Sequence, residues 1–179
     1  MSAILCLDLE TSGLQAASAG IVEVGACLIE GGCIVESWSS LCWPGYAMLN
    51  SPGHWKALSI SGINPALLLD APPVEEALAA MAGWFSASAP FAVTSYNAAF
   101  DRGFIEAAAP WAAEHFDWSE CLMHRARQYL GLPRSPRLGA ACQALGVAHE
   151  ERHRALGDAL AAAGIAIELD RRGQDRWMR

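Results

Sequence analysis

The run Ala3-Ile4-Leu5-Cys6-Leu7-Asp8-Leu9-Glu10 is an apolar segment that ends in two carboxylates. Its length and composition suit a buried strand. Alternate residues of a strand share a face, so Asp8 and Glu10 point the same way and can converge on one spot. Two like charges at the end of a buried strand repel each other unless a cation neutralises them. Hard divalent ions prefer such oxygens. A strand that merely reaches solvent would carry the same letters, so the pair gains meaning only from what joins it.

Working outward, residues 21–29 and 33–39 are rich in β-formers and are separated by Glu30-Gly31-Gly32, a good hairpin turn because glycine accepts positive φ. Three strands in a meander are therefore predicted. Residues 41–52 read as loop, and 54–63 and 64–69 as short helical turns. Pro73 opens a helix to about Phe85, with Glu75 and Glu76 suiting its positive end. Residues 91–96 form the next predicted strand. Helices follow over 98–109, stopping before Pro110, and over 122–130, 138–145 and 155–169. This order predicts an α/β fold, a mixed sheet covered by helices. With 179 residues and no repeat or long linker, the chain reads as one domain with its core at about 4–169.

Composition narrows the function. Apolar residues make up 53% and charged residues 17%, which excludes disorder. The net charge of −7 argues against a broad phosphate-gripping surface. Before Arg102 the only basic residue is Lys56, against nine carboxylates, whereas eleven arginines nearly balance ten carboxylates from Arg102 onward. The uncharged stretch 77–100 could span a bilayer in length, but Pro90, Thr94 and Asn97 divide it into a helix-like and a strand-like half. The six cysteines include no C-x-x-C pair, Cys6, Cys27 and Cys33 in apolar runs read as small hydrophobes, and with no secretory signal a cytoplasmic location is expected.

Two further carboxylates draw attention. Asp101 follows the strand 91–96, where open α/β sheets place their sites. Asp158 follows His153 by five residues, about 140° around a helix, so the two cannot share one helical face. Both can reach one site if His153 lies on the loop before a helix and Asp158 in its first turn. Gly157 would allow close approach there.

The motifs D-x-E-T-S-G-L at 8–14, I-V-E-V-G-A at 21–26, Y-N-x-x-F-D at 96–101 and H-R-A-L-x-D-A at 153–159 together resemble the DEDDh (DnaQ-like) family of 3′–5′ exonucleases. This is the family of the proofreading subunit of bacterial DNA polymerase III, ribonuclease T and oligoribonuclease. The resemblance implies a ribonuclease-H-like fold with a five-stranded mixed sheet. It also implies hydrolysis of phosphodiester bonds at the 3′ ends of single-stranded DNA or RNA, releasing nucleoside 5′-monophosphates. By it, Asp8, Glu10, Asp101 and Asp158 would hold two Mg²⁺ or Mn²⁺ ions, and His153 would deprotonate the attacking water. Thr11, Leu14 and Asn97 would contact substrate, Thr11 through its backbone and Leu14 as a wedge against the last base. A homodimer and a polymerase partner stay open, and no membrane partner is expected.

Two rival readings use other features. His149-Glu150-Glu151-Arg152-His153 spells H-E-x-x-H, the zinc-protease signature, which requires a continuous helix. A catalytically silent binding module on the same fold would be marked by loss of one carboxylate, and none is missing. Among the seven tryptophans, Trp84 reads as helix packing and Trp55 as a candidate substrate contact. Arg125, Arg127, Arg134, Arg137 and Arg152 are candidates for a phosphate path beside the site.

Overall fold

A computed structural model describes residues 3–49, 53–86 and 91–173. Five strands, β1 (Ala3–Thr11), β2 (Ile21–Glu30), β3 (Cys33–Leu41), β4 (Phe91–Thr94) and β5 (Asp117–Trp118), form one sheet in the order β3-β2-β1-β4-β5. The first three strands pair antiparallel, while β4 runs parallel to β1 and β5 parallel to β4. Gly31 and Gly32 both take positive φ (59° and 79°), the turn that the β2–β3 hairpin requires. Between β3 and β4 lie the short helices α1 (Tyr46–Leu49), α2 (His54–Ser61) and α3 (Pro65–Leu68), then α4 (Val74–Trp84). Beyond β4 come α5 (Ala98–Ala108), α6 (Pro110–His115), α7 (Leu122–Tyr129), α8 (Leu138–Leu145) and α9 (Ala155–Arg171).

Strand alternation sorts β1 between two cores. Leu5, Leu7 and Leu9 join Met81 and Phe85 near the end of α4 and Phe104 and Ile105 of α5 on one face. Ile4 and Cys6 face the other way, into the layer of α7, α8 and α9. Period 2 therefore places Asp8 and Glu10 on the α9 side of the sheet. On β2 the same face carries Glu23 and Gly25, which pair with Glu10 and Asp8 respectively. Alanines 155, 159, 161, 162, 163 and 166 are buried on α9, so a helix with small side chains lies close over the sheet.

Several expectations need correction. The loop predicted over 41–52 contains α1, and the strand predicted over 91–96 ends at Thr94. Pro110 does not merely stop α5 but opens α6 at its first position, where its missing N–H costs nothing. The fifth strand has two residues, too short for any periodicity to announce it. Trp84 is 55% exposed, because Ala77, Leu78, Met81 and Phe85 define the buried arc and Trp84 falls about 20° outside it. The six cysteines are free; Cys6 and Cys27 are buried as expected, but Cys33 is exposed because it opens β3, an edge strand of the sheet. No helix among the described residues is long and apolar enough to cross a membrane.

Candidate active site

The N-terminus of α9 is brought onto the sheet by two glycines and a carboxylate. A side chain at Gly25 would collide with the backbone of Ala155 and Leu156, so only glycine lets α9 start directly above β2. A side chain at Gly157 would collide with the Glu151 carbonyl, so the loop before α9 closes tightly over the helix start. Glu23 is buried and accepts hydrogen bonds from Arg154 Nε (3.1 Å) and Nη2 (2.6 Å) and from the Ala155 N–H (3.0 Å). A carboxylate on the first amide of a helix also meets the positive end of its dipole. Together these contacts set Asp158, in the first turn of α9, over the end of β1.

His153 lies on the loop immediately before this clamp, exposed and at φ 60°. Left-handed backbone is uncommon outside glycine and costs on the order of 1–2 kcal/mol. Ligand atoms of Glu10, His153 and Asp158 all lie within 4.8 Å of one another. Asp101 enters from the first turn of α5, buried, its Oδ2 accepting a 2.7 Å hydrogen bond from Ser95 Oγ. Asp8 sits among the carboxylates and is affected by Asp101, Asp158, Glu10 and Glu23.

The electrostatics record this crowding. Burial first, then these four neighbouring carboxylates, holds Asp8 well above the usual carboxylate range. Burial, helped by Asp158 and Glu23, pushes Glu10 up to about 7, with Arg154 opposing. Burial pushes Asp101 up to about 7 against its hydrogen bonds from Ser95 and backbone amides. Such a set of mutually destabilised oxygens fits a hard divalent cation, which would relieve both the desolvation and the repulsion.

A cavity of about 920 Å³ opens beside Glu10. Thr11, Leu14, Ile60 and Phe100 line it, and Leu14 is 86% exposed. Lys56, the chain's one lysine, lies in the same wall. Thr11 Oγ1 donates to the Gly13 carbonyl at 2.6 Å, bending the chain after β1. Asn97 is exposed at the start of α5. Trp55 is exposed on α2 with its ring against His54, whereas the cavity wall uses Lys56, Ala57 and Ile60 of that helix. Arg125 is 4% exposed and leaves the group of solvent-facing arginines.

The H-E-x-x-H letters fall in the loop between α8 and α9, not on a helix, so the protease geometry is absent. His149 nevertheless reaches the site: its Nε2 lies 2.5 Å from Asp158 Oδ1. Sequence reading missed His149, Glu23, Ser95 and Lys56 as contributors. Glu23 left a signal, a charge inside an apolar strand, and so did Lys56, a lone cation in an acidic half; Ser95 left none.

The family model RNase_T, described as Exonuclease, matches residues 5–166. The PolC-type DNA polymerase III of Oceanobacillus iheyensis is 28% identical over 171 residues, covering 92% of this chain. That of Thermotoga maritima is 30% identical over 168 residues, covering 91%. The chain spans 11% of the length of each. Among solved structures, a full-length 3′-exonuclease superposes with a TM-score of 0.82 at 16% identity, covering 96% of this chain and 61% of that one. Exonuclease X in complex with 5′ overhanging duplex DNA superposes with a TM-score of 0.70 at 25% identity, covering 97% and 93%. Sheet order, motif order and family match thus agree, and the chain belongs to the exonuclease family, among the DEDDh-type 3′–5′ exonucleases of the ribonuclease-H-like superfamily.

Proposed function

We propose that this chain is a metal-dependent 3′–5′ exonuclease that removes nucleoside 5′-monophosphates from the 3′ ends of single-stranded DNA or RNA. The observation that carries this reading is the meeting of Glu10, His153 and Asp158 within 4.8 Å, from chain positions more than 140 residues apart, beside Asp8 and Asp101. The family is metal-dependent. Asp8, Glu10, Asp101 and Asp158 would hold two Mg²⁺ or Mn²⁺ ions, which when bound stabilise charge on the phosphoryl oxygens and acidify water.

The chain's own groups do the rest. His153, exposed on its loop, takes the proton from the attacking water. The Glu23–Arg154 clamp fixes where that loop ends, so the imidazole swings about a defined point. The cavity beside Glu10 receives the 3′-terminal nucleotide, with Thr11 offering backbone to the sugar and Leu14 meeting the last base. Asn97 adds a polar contact at the mouth of the site. Lys56 supplies a positive charge for a substrate phosphate, where the surrounding half of the chain is acidic.

Digestion of 5′-labelled DNA and RNA oligomers in parallel tests the proposal. The expected result is a ladder shortening from the 3′ end with Mn²⁺ or Mg²⁺ and none with EDTA. Folded protein that leaves both substrates intact in Mn²⁺ would instead support a silent binding module. Shortening that persists in EDTA would contradict the metal-dependent reading.

A further inference from the structure

The buried contact between His149 and Asp158 assigns a role that the exonuclease reading leaves unfilled. His149 has a side chain only 7% exposed, its Nε2 is 2.5 Å from Asp158 Oδ1, and its Nδ1 is buried with no hydrogen-bond partner among the described residues. An ionised carboxylate oxygen only accepts hydrogen bonds, so the ring nitrogen against it carries the N–H. Nε2 therefore donates to Oδ1, and Nδ1 lies on the side of Gly139, where a Cβ would be 3.6 Å away.

The loop that carries His149 is fixed where it leaves α8. Gly146 takes φ 74° to end α8, and the Val147 N–H donates to the Cys142 carbonyl at 2.9 Å. The Val147 side chain lies against Gly164 of α9, where a Cβ would come within 2.6 Å of Val147 Cγ1. The imidazole two residues later is thus referenced to the same helix that carries Asp158. His153, by contrast, is exposed and comes within 4.8 Å of Asp158 with no hydrogen bond between them among the described residues.

We propose, building on the exonuclease reading above, that His149 is a positioning residue for divalent-ion binding. It holds one oxygen of Asp158 and so keeps the carboxylate turned into the cluster with its other oxygen available to an ion. Without it, Asp158 would face the charges of Glu10 and Asp8 with no other side-chain hydrogen bond among the described residues. Outer hydrogen bonds to ligating carboxylates typically change metal affinity or activity about 10–100-fold.

The test is calorimetric titration of metal-free protein with Mn²⁺, for wild type, His149→Leu, His149→Asn and His149→Gln, with oligomer cleavage measured at limiting and saturating Mn²⁺. Glutamine can place an amide N–H near the Nε2 position; asparagine is too short. The expected result is affinity about 10–100-fold weaker in the leucine and asparagine variants and near wild type in the glutamine variant. Cleavage lost at limiting Mn²⁺ should return at saturation. Should the leucine variant fail to fold, asparagine against glutamine carries the same comparison. Equal affinity in the polar variants, or a glutamine variant as weak as asparagine, overturns the positioning role alone. Wild-type protein that binds no Mn²⁺ and cleaves nothing overturns the exonuclease reading and this proposal together.

Discussion

The carboxylate platform and the histidine loop meet at one point but are built on opposite terms. Asp8, Glu10 and Asp101 project from a strand and a helix packed into the sheet, where burial holds all three pKa values high and neighbouring carboxylates add to the rise at Asp8 and Glu10. His153 lies outside regular structure, exposed and in left-handed backbone. One region stores electrostatic strain in a rigid frame; the other stores backbone strain in a loop that solvent reaches. A cation relieves the first kind, and glycine relieves the second. The two should therefore separate cleanly under mutation.

The largest effect is expected from Asp8→Asn, which removes a charge from the centre of the platform. Cleavage in Mn²⁺ should fall about 10³-fold, while the metal-free protein should melt higher than wild type at pH 8 because one repelling charge is gone. Next is His153→Gly. Turnover should fall about 10²–10³-fold for loss of a general base, yet the melting temperature should rise by about 2 °C as the backbone strain is relieved. A melt that falls, or turnover that survives, would erase the contrast between the two regions.

A third effect reads the platform alone. Glu10 and Asp101 bind protons more tightly folded than unfolded, so the stability gained from protonation is complete below about pH 4 and is lost as pH rises through about 7. Metal-free protein in EDTA should therefore melt roughly 5 °C higher at pH 5.5 than at pH 8. Added Mn²⁺ should reverse that order by stabilising the ionised cluster at pH 8. The smallest effect is expected from Lys56→Ala on the exposed side of the cavity. KM for an oligomer should rise about 3–10-fold with kcat nearly unchanged, and the salt dependence of binding should weaken by about one charge.

How much of this was legible in the sequence follows the same division. The strand with Asp8 and Glu10, the Gly31-Gly32 turn and the three C-terminal helices carry local signals of periodicity and turn chemistry, and the structure has each of them. The loop position of His153 and the first-turn position of Asp158 follow from their five-residue spacing once both are required to reach one site. Contacts made by the packing of distant elements could not. Glu23 caps α9 only because Gly25 lets that helix settle on β2, and His149 reaches Asp158 only because Val147 seats on Gly164. The exposure of Trp84 and the burial of Arg125 depend likewise on which arc of a helix its neighbours cover. The two-residue β5 exists through its pairing with β4 and has no pattern of its own.

The most direct measurement is the anomalous difference density of a crystal soaked in Mn²⁺. The expected result is two peaks between β1 and the start of α9, with Asp8 beside both and Glu10, Asp101 and Asp158 completing the oxygen set. Density that is empty there, or a manganese ion held elsewhere on the molecule, would contradict the convergence on which the functional reading depends.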